Sequence, residues 1–509
     1  MRSAEADRGS TCILADNIAR LVVGAFRDSQ PAIDGHASEQ TVVAGFVLVD
    51  DNEAQPLELL SWGMGTKFAS DTAVASCLDG RIVRDCHAEI LARRALLRVF
   101  YDELIAAESP HATAQQVADK SISAHSSSHP RLRLFQLSSE PGVGQSARKY
   151  RLRPELRLVL YTSSMPCGNA SLKRWAKGRT ERFRSDLGAC ELPSEEHARL
   201  HVTARDEGQI AVLVKGEIRS AATLGEDAGE ATTLGFPPPV RHAGREGTLA
   251  PGTSRPQDLP VGAAGTMTCS DKIARWSHLG VQGALLSRWL DPVYLSGLVI
   301  GRKYSYEHAR RALCCRLSHS AQAKRRRSPR GDKCSKSAQG ENLLVYQLHH
   351  PALMGTAIKL DESAIATTGA RNGGARFTNR DGRASPCLVW ALGDTQPEAI
   401  DGPSGRAVVR TQEEERGAIA GDELTGTASV SRRAIFAKHL KLAQMSQPQA
   451  GYLEIRRTAY GAAKRKASGD YERARSELLE GAFSDWIISN PELDQWCLND
   501  SEATLSTVV

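Results

Sequence analysis

The chain has 509 residues, of which 41% are hydrophobic and 24% charged, an ordinary balance for a globular protein, and its net charge of +6 permits an RNA partner without requiring one. Its eleven cysteines are odd in number and irregularly spaced, which argues against a disulfide framework, and no apolar run is long enough to cross a membrane. Residues 1–10 contain no apolar core, so we expect no signal sequence and a reducing compartment, the cytoplasm or the nucleus.

The first predicted elements are a helix and two strands. Apolar residues such as Ile18 and Val22 recur at helical spacing over 16–26, which predicts a short helix within an N-terminal helical segment, 1–40. The β-branched, apolar stretch 41–50 predicts a buried strand. A second strand or its closing turn is predicted over 59–67.

The next predicted helix, 87–101, is amphipathic and begins with the triplet His-Ala-Glu at 87–89. A neutral imidazole is a good zinc ligand, and a glutamate two residues away can carry protons without binding metal itself. An apolar strand predicted over 156–163 leads to Pro166 and Cys167, and a proline suits the opening of a helix. A His-x-Glu triplet followed by Pro-Cys is the signature of zinc-dependent nucleobase deaminases.

A tetrahedral catalytic zinc site needs a third protein ligand besides water. The short form of the signature places a second cysteine three residues after Cys167, but that residue is Ala170. The best candidate is Cys269, which begins the sequence Cys-Ser-Asp-Lys-Ile-Ala-Arg-Trp. The cysteines that we interpret as small buried residues rather than ligands are Cys77, Cys314, Cys315 and Cys387.

Three stretches are predicted to be insertions, because each lacks the periodicity of a helix or a strand: 106–130, 224–264 and 318–342. The third contains a basic run, 324–330. This run is a nuclear-import signal, an RNA-contacting loop or a solvated charged loop, and the sequence does not choose among them.

The remaining elements complete one large domain. Strands are predicted over 345–349 and 386–392, and the pattern is helical over 430–489. We therefore expect a single catalytic domain over 41–500, interrupted by the insertions, with a short tail, 501–509.

The chain resembles the adenosine deaminases that act on RNA. Three motifs carry the resemblance, in the family's order: Asp-Cys-His-Ala-Glu-Ile with paired arginines, Pro-Cys-Gly, and Cys-Ser-Asp-Lys-Ile-Ala-Arg-Trp. The resemblance covers roughly residues 40 to 500 outside the insertions. It implies an α/β fold, a cytidine-deaminase-like mixed sheet sandwiched by helices, with a helical C-terminal extension.

The resemblance also implies the chemistry of the site. Zinc is bound by His87, Cys167 and Cys269, and activates the water that attacks the adenine. Glu89 is the proton shuttle, and hydrolysis converts adenosine to inosine with release of ammonia. Thr66 and Lys67 match a family motif near the substrate nucleotide. They contact its ribose or phosphate, or they only form a turn at a strand end.

Relatives of this fold bury inositol hexakisphosphate beneath the active site. A core rich in lysine and arginine is unstable unless a polyanion neutralises it. The family's positions for this cofactor correspond to Arg93, Arg94, Lys272, Arg275, Tyr460, Lys464, Arg475, Trp486 and Asp494. Arg432 or Arg433 supplies a further contact, and the sequence does not choose between the two.

Three functions remain open. No double-stranded-RNA-binding module is visible before the first strand, so the chain resembles the branch of the family that acts on tRNA. That branch converts adenosine 37 of alanine tRNA to inosine. The alternatives are editing of double-stranded RNA and an inactive, deaminase-like RNA-binding protein.

Overall fold

The structure is a computed structural model. It describes residues 2–29, 41–52, 57–108, 134–139, 149–167, 170, 211–214, 217–220, 267–317, 346–360, 387–408, 426–446, 449–480, 483 and 491–498. Trp486, the predicted insertions 224–264 and 318–342, and the tail 501–509 lie outside these residues.

The described residues form the following elements. The strands are β1 (Val43–Asp50), β2 (Leu57–Met64), β3 (Thr66–Phe68), β4 (Asp85–His87), β5 (Phe135–Ser139), β6 (Lys149–Leu152), β7 (Leu156–Ser164), β8 (Ala211–Val214), β9 (Glu217–Ser220), β10 (Gly297–Arg302), β11 (Ala352–Gly355), β12 (Cys387–Ala391), β13 (Glu398–Asp401) and β14 (Arg406–Ala407). The helices are α1 (Arg2–Asp28), α2 (Asp71–Ala75), α3 (Ala88–Ala107), α4 (Cys269–Leu279), α5 (Gly283–Leu286), α6 (Tyr306–Leu313), α7 (Arg432–Ser446), α8 (Gln449–Arg456), α9 (Tyr460–Lys466) and α10 (Gly469–Glu480). Short 3-10 turns cover Cys315–Leu317 and Pro491–Asp494.

Eight of the described strands form one mixed sheet, in the order β11-β10-β7-β1-β2-β12-β13-β14. β10 pairs in parallel with β7 and β11, and the other neighbours pair antiparallel. Three two-stranded ladders, β3-β4, β5-β6 and β8-β9, lie apart from this sheet. The expected mixed α/β fold is confirmed.

Helices cover both faces of the large sheet, because successive side chains of a strand point to opposite sides. On β1, Val43 and Val47 pack with α1 in one apolar cluster, whereas Phe46 and Leu48 pack with α3 and α4 in another. The sheet is therefore the middle layer of a sandwich, and the predicted helix over 16–26 lies within the longer α1.

Two glycines, one in β2 and one just after it, let the chain approach α3 and β4 closely. A Cβ on Gly63 would lie 2.7 Å from the backbone nitrogen of Ala92, so only glycine lets β2 approach the helix this closely. Gly65 has a φ of 155°, and a Cβ there would lie 2.3 Å from the carbonyl oxygen of Cys86. The predicted strand over 59–67 is therefore two strands, β2 and β3, separated by Gly65.

The predicted strand over 345–349 is wrong for the residues that the structure describes there. Residues 346–350 form no ladder, because their amides bond elsewhere: His349 N–H donates to the carbonyl of Ser277 at 2.7 Å. The strand begins later, as β11, after Pro351. The strand predicted over 386–392 is confirmed as β12, and the helical stretch over 430–489 contains α7 to α10.

The first predicted insertion also begins later than expected. α3 continues to Ala107, past residue 106, with Leu104 still fully buried, and residues 109–130 lie outside the described part of the chain. Among the described helices, none combines the length and apolar character needed to span a bilayer.

The packing of α1 on the sheet is tested by two identical substitutions in the same helix. Ile18 is fully buried, whereas Ile13 is 64% exposed. Ile18→Ala should lower the free energy of unfolding by about 2–5 kcal/mol, because it removes buried methyl groups and leaves a cavity. Ile13→Ala should change it by less than about 0.5 kcal/mol. Urea denaturation followed by circular dichroism gives both values, and equal effects would mean that α1 does not pack as described.

Candidate active site

Three elements bring the predicted zinc ligands together. His87 is the last residue of β4 and precedes the first turn of α3, Cys167 follows β7, and Cys269 is the first residue of α4. One ligand atom from each lies within 4.8 Å of the other two. Residues separated by 182 positions along the chain therefore converge on one point, where they can share a metal ion.

The first turn of α4 fixes both cysteines. Thr268 caps the helix: its hydroxyl accepts from the backbone N–H of Asp271, whose carboxylate accepts from the backbone N–H of Thr268. The backbone N–H of Cys269 then points at Sγ of Cys167, 3.4 Å away, and the N–H of Ser270 donates to the Cys167 carbonyl at 3.1 Å. The positive end of the helix thus faces a sulfur, which favours the thiolate.

Asp85 orients the histidine. Its carboxylate lies 2.8 Å from Nδ1 of His87 and forms an ion pair with Nζ of Lys272. An Nδ1–H that donates to Asp85 leaves Nε2 of the ring to bind a metal. Asp85 appears in the sequence motif, but its role could be read only from this contact.

Electrostatics reinforce the arrangement. Burial opposes the charge of Asp85, but Lys272 and His87 outweigh it and hold the pKa of this carboxyl well below its usual range. Burial also lowers the pKa of His87, and the adjacent Asp85 carboxylate reverses this and raises it to about 9. The hydrogen bond with Cys269, together with the charge of His87, lowers the pKa of Cys167 below that of an ordinary thiol. Two thiolates and an imidazole are donors that tetrahedral zinc prefers, so the residues present fit this ion.

Glu89 lies beside the three ligands without being one of them. It is 3% exposed, in the first turn of α3, and its Oε1 is 3.5 Å from the hydroxyl of Thr162. Burial raises the pKa of Glu89 above that of an ordinary glutamate. A raised pKa makes the carboxyl easier to protonate, which suits a group that must both accept and give a proton.

The predicted substrate residues lie across a strand ladder from the zinc ligand. In the β3-β4 pair, Thr66 is directly opposite His87, and Lys67 is opposite Cys86. Thr66 is exposed, so it is accessible to a ligand. Phe68, which the sequence did not single out, packs against the His87 imidazole with ring centroids 4.4 Å apart.

On the other side of Asp85 lies a cavity of about 530 Å³. Among the described residues, nine lysine and arginine side chains line it, against three carboxylates. The lining includes these predicted polyanion residues: Arg93, Arg94, Lys272, Arg275, Tyr460, Lys464, Arg475 and Asp494. It also includes two cations that were not predicted, Arg84 and Arg465, and Arg432, one of the two arginines that the sequence left open. Trp486 lies outside the described residues, so its place is not given.

Of the two arginines that the sequence left open, Arg432 and Arg433, the cavity lining contains Arg432. Arg432 lines the cavity and bonds Asp494 at 2.5 Å. Arg433 instead donates to the carbonyl of Asp79 at 3.0 Å and lies over the indole of Trp496. Asp494 also accepts from Lys464 at 3.2 Å, so this carboxylate positions two cations of the cavity wall.

The cations of the wall are costly to bury. Burial lowers the pKa of Arg93 to about 10, and lowers that of Arg94 as well. Nη2 of Arg94 is buried and has no hydrogen-bond partner among the described residues. Gly283 makes room for this wall, since a Cβ there would lie 2.8 Å from Nη2 of Arg93. An excess of positive charge in such a cavity is costly unless counter-charges offset it.

Comparisons with known proteins agree with this geometry. The adenosine-deaminase (editase) domain matches residues 61–490. The double-stranded RNA-specific editase Adar of Drosophila melanogaster is 26% identical over 96% of this chain and 55% of its own length. The double-stranded RNA-specific editase B2 of Mus musculus is 28% identical over 60% of this chain and 32% of its own length. The tRNA-specific adenosine deaminase 1 of Homo sapiens is 24% identical over 86% of this chain and 88% of its own length.

The match therefore covers most of this chain, while the chain spans only about half or a third of the length of the two editases. Every residue of the converging site, His87, Glu89, Cys167 and Cys269, falls inside the matched domain. The chain belongs to the family of the adenosine-deaminase (editase) domain.

Proposed function

We propose that this protein is a zinc-dependent deaminase that hydrolyses adenosine to inosine in tRNA, at adenosine 37 of alanine tRNA. The observation that carries the enzymatic part is the convergence of His87, Cys167 and Cys269 within 4.8 Å of one another, with Glu89 buried beside them. The tRNA part rests on the similarity to the human tRNA-specific deaminase, which extends over 88% of that protein. An inactive RNA-binding protein is disfavoured, because the donor set and the proton carrier are both present.

The residues of the site divide the work. Zinc held by the two thiolates and the imidazole would act as a Lewis acid and would make water a nucleophile near neutral pH. Glu89 takes a proton from that water and gives it to N1 of the adenine as the C6–O bond forms. Glu89 next takes the remaining proton from the oxygen now bonded to C6 and gives it to the amino group. The C6–N bond then breaks, ammonia leaves, and C6 keeps the oxygen as the carbonyl of inosine. Asp85 keeps His87 in one tautomer and so positions rather than reacts.

The substrate must present its adenine outside a stack. A base within a helix cannot reach a buried carboxyl and metal, whereas an anticodon loop offers unpaired bases at low cost. Thr66 and Lys67, which lie across the ladder from His87 and Cys86, would contact the ribose or phosphate of that nucleotide. This placement supports the role that the resemblance assigned to them.

We further propose that the basic cavity holds inositol hexakisphosphate. A volume of about 530 Å³ is in the range of small-molecule sites. The excess of lysine and arginine around the cavity, and the buried Nη2 of Arg94 that has no partner within the described chain, favour a ligand with many negative charges. Lys272 would join the two sites, because it lines the cavity and pairs with Asp85, which holds His87.

Glu89→Gln tests the proton carrier. The substitution keeps the shape of the side chain but removes its acid–base function, so turnover should fall by at least about 100-fold. Zinc content, measured by plasma mass spectrometry, should equal that of the unmodified protein. Glu155→Gln is the control, since Glu155 lies at the opposite end of β7 from Cys167 and pairs with Arg153. Retained turnover, or loss of zinc, in Glu89→Gln would contradict the assigned role.

The substrate class is tested with matched RNAs. The purified protein should form inosine in alanine tRNA at position 37, with no product from the same loop sequence annealed into a duplex, because only the unpaired adenine reaches the site. Primer extension and nucleoside mass spectrometry report the product, and Glu89→Gln serves as the blank. Inosine found only in duplex substrates would make the protein a double-stranded-RNA editor instead.

The polyanion is tested by what the purified protein carries. Acid denaturation should release about one inositol hexakisphosphate per chain, as expected for a ligand bound on folding. Arg94→Met should reduce the soluble yield, whereas Arg157→Met, on an exposed pair with Asp51, should not. Soluble, active protein from a host that makes no inositol hexakisphosphate would refute this proposal.

A further inference from the structure

A second group of metal-binding donors lies apart from the candidate active site. Cys314, Cys315 and His350 each offer a ligand atom, and these atoms all lie within 4.8 Å of one another. The two sulfurs are 3.2 Å apart, and Sγ of Cys315 is 3.4 Å from Nδ1 of His350. Both cysteines are fully buried, and His350 is half-buried. The sequence indicated small buried residues here, and it gave no sign that a histidine joins them.

The fold holds this cluster in place from both sides. α6 ends at Leu313, so Cys314 and Cys315 form the turn that leaves the helix, while His350 precedes β11. Ser277 of α4 connects the two arms: its hydroxyl donates to the Leu313 carbonyl at 2.9 Å, and its carbonyl accepts from His349 at 2.7 Å. The donors are thus positioned by ordinary hydrogen bonds, and a ligand would not have to assemble them.

The sulfurs are not joined to each other. A disulfide has an S–S distance of about 2.05 Å, far shorter than the 3.2 Å between Cys314 and Cys315. In a tetrahedral zinc site, with Zn–S near 2.3 Å, two sulfurs stand about 3.8 Å apart. A small opening of the pair would therefore admit the ion, and the 3.4 Å from Cys315 to His350 already matches a sulfur–nitrogen edge.

We propose that Cys314, Cys315 and His350 form a second zinc site, structural rather than catalytic. Two thiolates and an imidazole are the donors that select zinc in a reducing compartment. Three protein donors leave one position of the ion for water or a further side chain. As the ion binds, each thiol gives up its proton to solvent, and the two negative charges are neutralised by the metal.

The position of the site indicates what the ion does. α6 is the crossover between the parallel strands β10 and β11, and it packs on α4, whose first residue is Cys269. His350 follows Cys315 by 35 positions, so the ion would cross-link residues that are far apart in the chain. Such a cross-link stabilises the fold more than a short one does, because it removes more conformational entropy from the unfolded chain. It would tie the end of α6, which packs on α4, to the segment that leads into β11.

Zinc stoichiometry and cobalt spectra of the full-length protein test this proposal. After dialysis against buffer with trace zinc chloride, the unmodified protein should hold about two zinc ions per chain. One of them is the ion expected at His87, Cys167 and Cys269, and this part of the count rests on the function proposed above. Cys315→Ser and His350→Gln should each reduce this to about one, as should Cys269→Ser, through the other site. Cobalt-loaded Cys315→Ser should lose about half of the thiolate-to-cobalt absorption, because each site has two cysteines. Cys77→Ser, which changes a buried thiol bonded to Asp79, is the control and should lose nothing.

The outcomes separate the two sites. An ion that is lost in Cys315→Ser and His350→Gln but kept in Cys269→Ser supports the second site, even if the first proves empty. A single ion that depends on Cys269 alone, or two ions that survive both Cys315→Ser and His350→Gln, would overturn the proposal. Because His350 is half-buried, its variant remains informative if Cys315→Ser fails to fold.

Discussion

The carboxylate of Asp85 is the interaction on which both sites depend. It lies between the imidazole of His87 and the ammonium of Lys272, and all three are buried or nearly so. On one side it fixes the tautomer of His87, a candidate metal ligand, and on the other it gives Lys272 of the basic cavity a partner. Removing it would leave two uncompensated charges in the interior, so neither site is independent of the other.

The topology explains why the metal ligands meet where they do. Parallel strands place their carboxyl ends at one edge of a sheet, and open α/β sheets bind ligands at that edge. β7 and β10 are such a pair, and the backbone N–H of Met165, after β7, donates to the carbonyl of Arg302 at 3.0 Å. Cys167 is thereby held beside the first turn of α4. α3 approaches from the same end, brought close by Gly63.

Much of this arrangement could be predicted from the sequence, because the metal ligands and Glu89 belong to motifs whose spacing reflects chemistry. The contributions of Asp85 and Phe68 could not, since they depend on contacts between chain segments that no periodicity reports. The strand predicted before Pro351 is wrong for a related reason. Its side chains favour a strand, but the backbone N–H of His349 donates to the carbonyl of Ser277 in α4 and not to a neighbouring strand. Cys314 and Cys315 were recognised as buried, yet a histidine 35 positions away in the chain is visible only in the fold.

The short ladder between β3 and β4 has a consequence for how this site can change. Thr66 lies opposite His87 because of the register in which the two strands pair. Side chains alternate between the two faces of a strand, so a shift of one residue moves each of them to the other face. Losing or gaining one residue within β3 or β4 would reverse the facing of the side chains beyond it, so Thr66 and His87 would no longer lie opposite each other. Length variation in this region is therefore to be expected in the connection between the two strands and not within the three paired positions of either strand, where a change of one residue could not be compensated by another side chain.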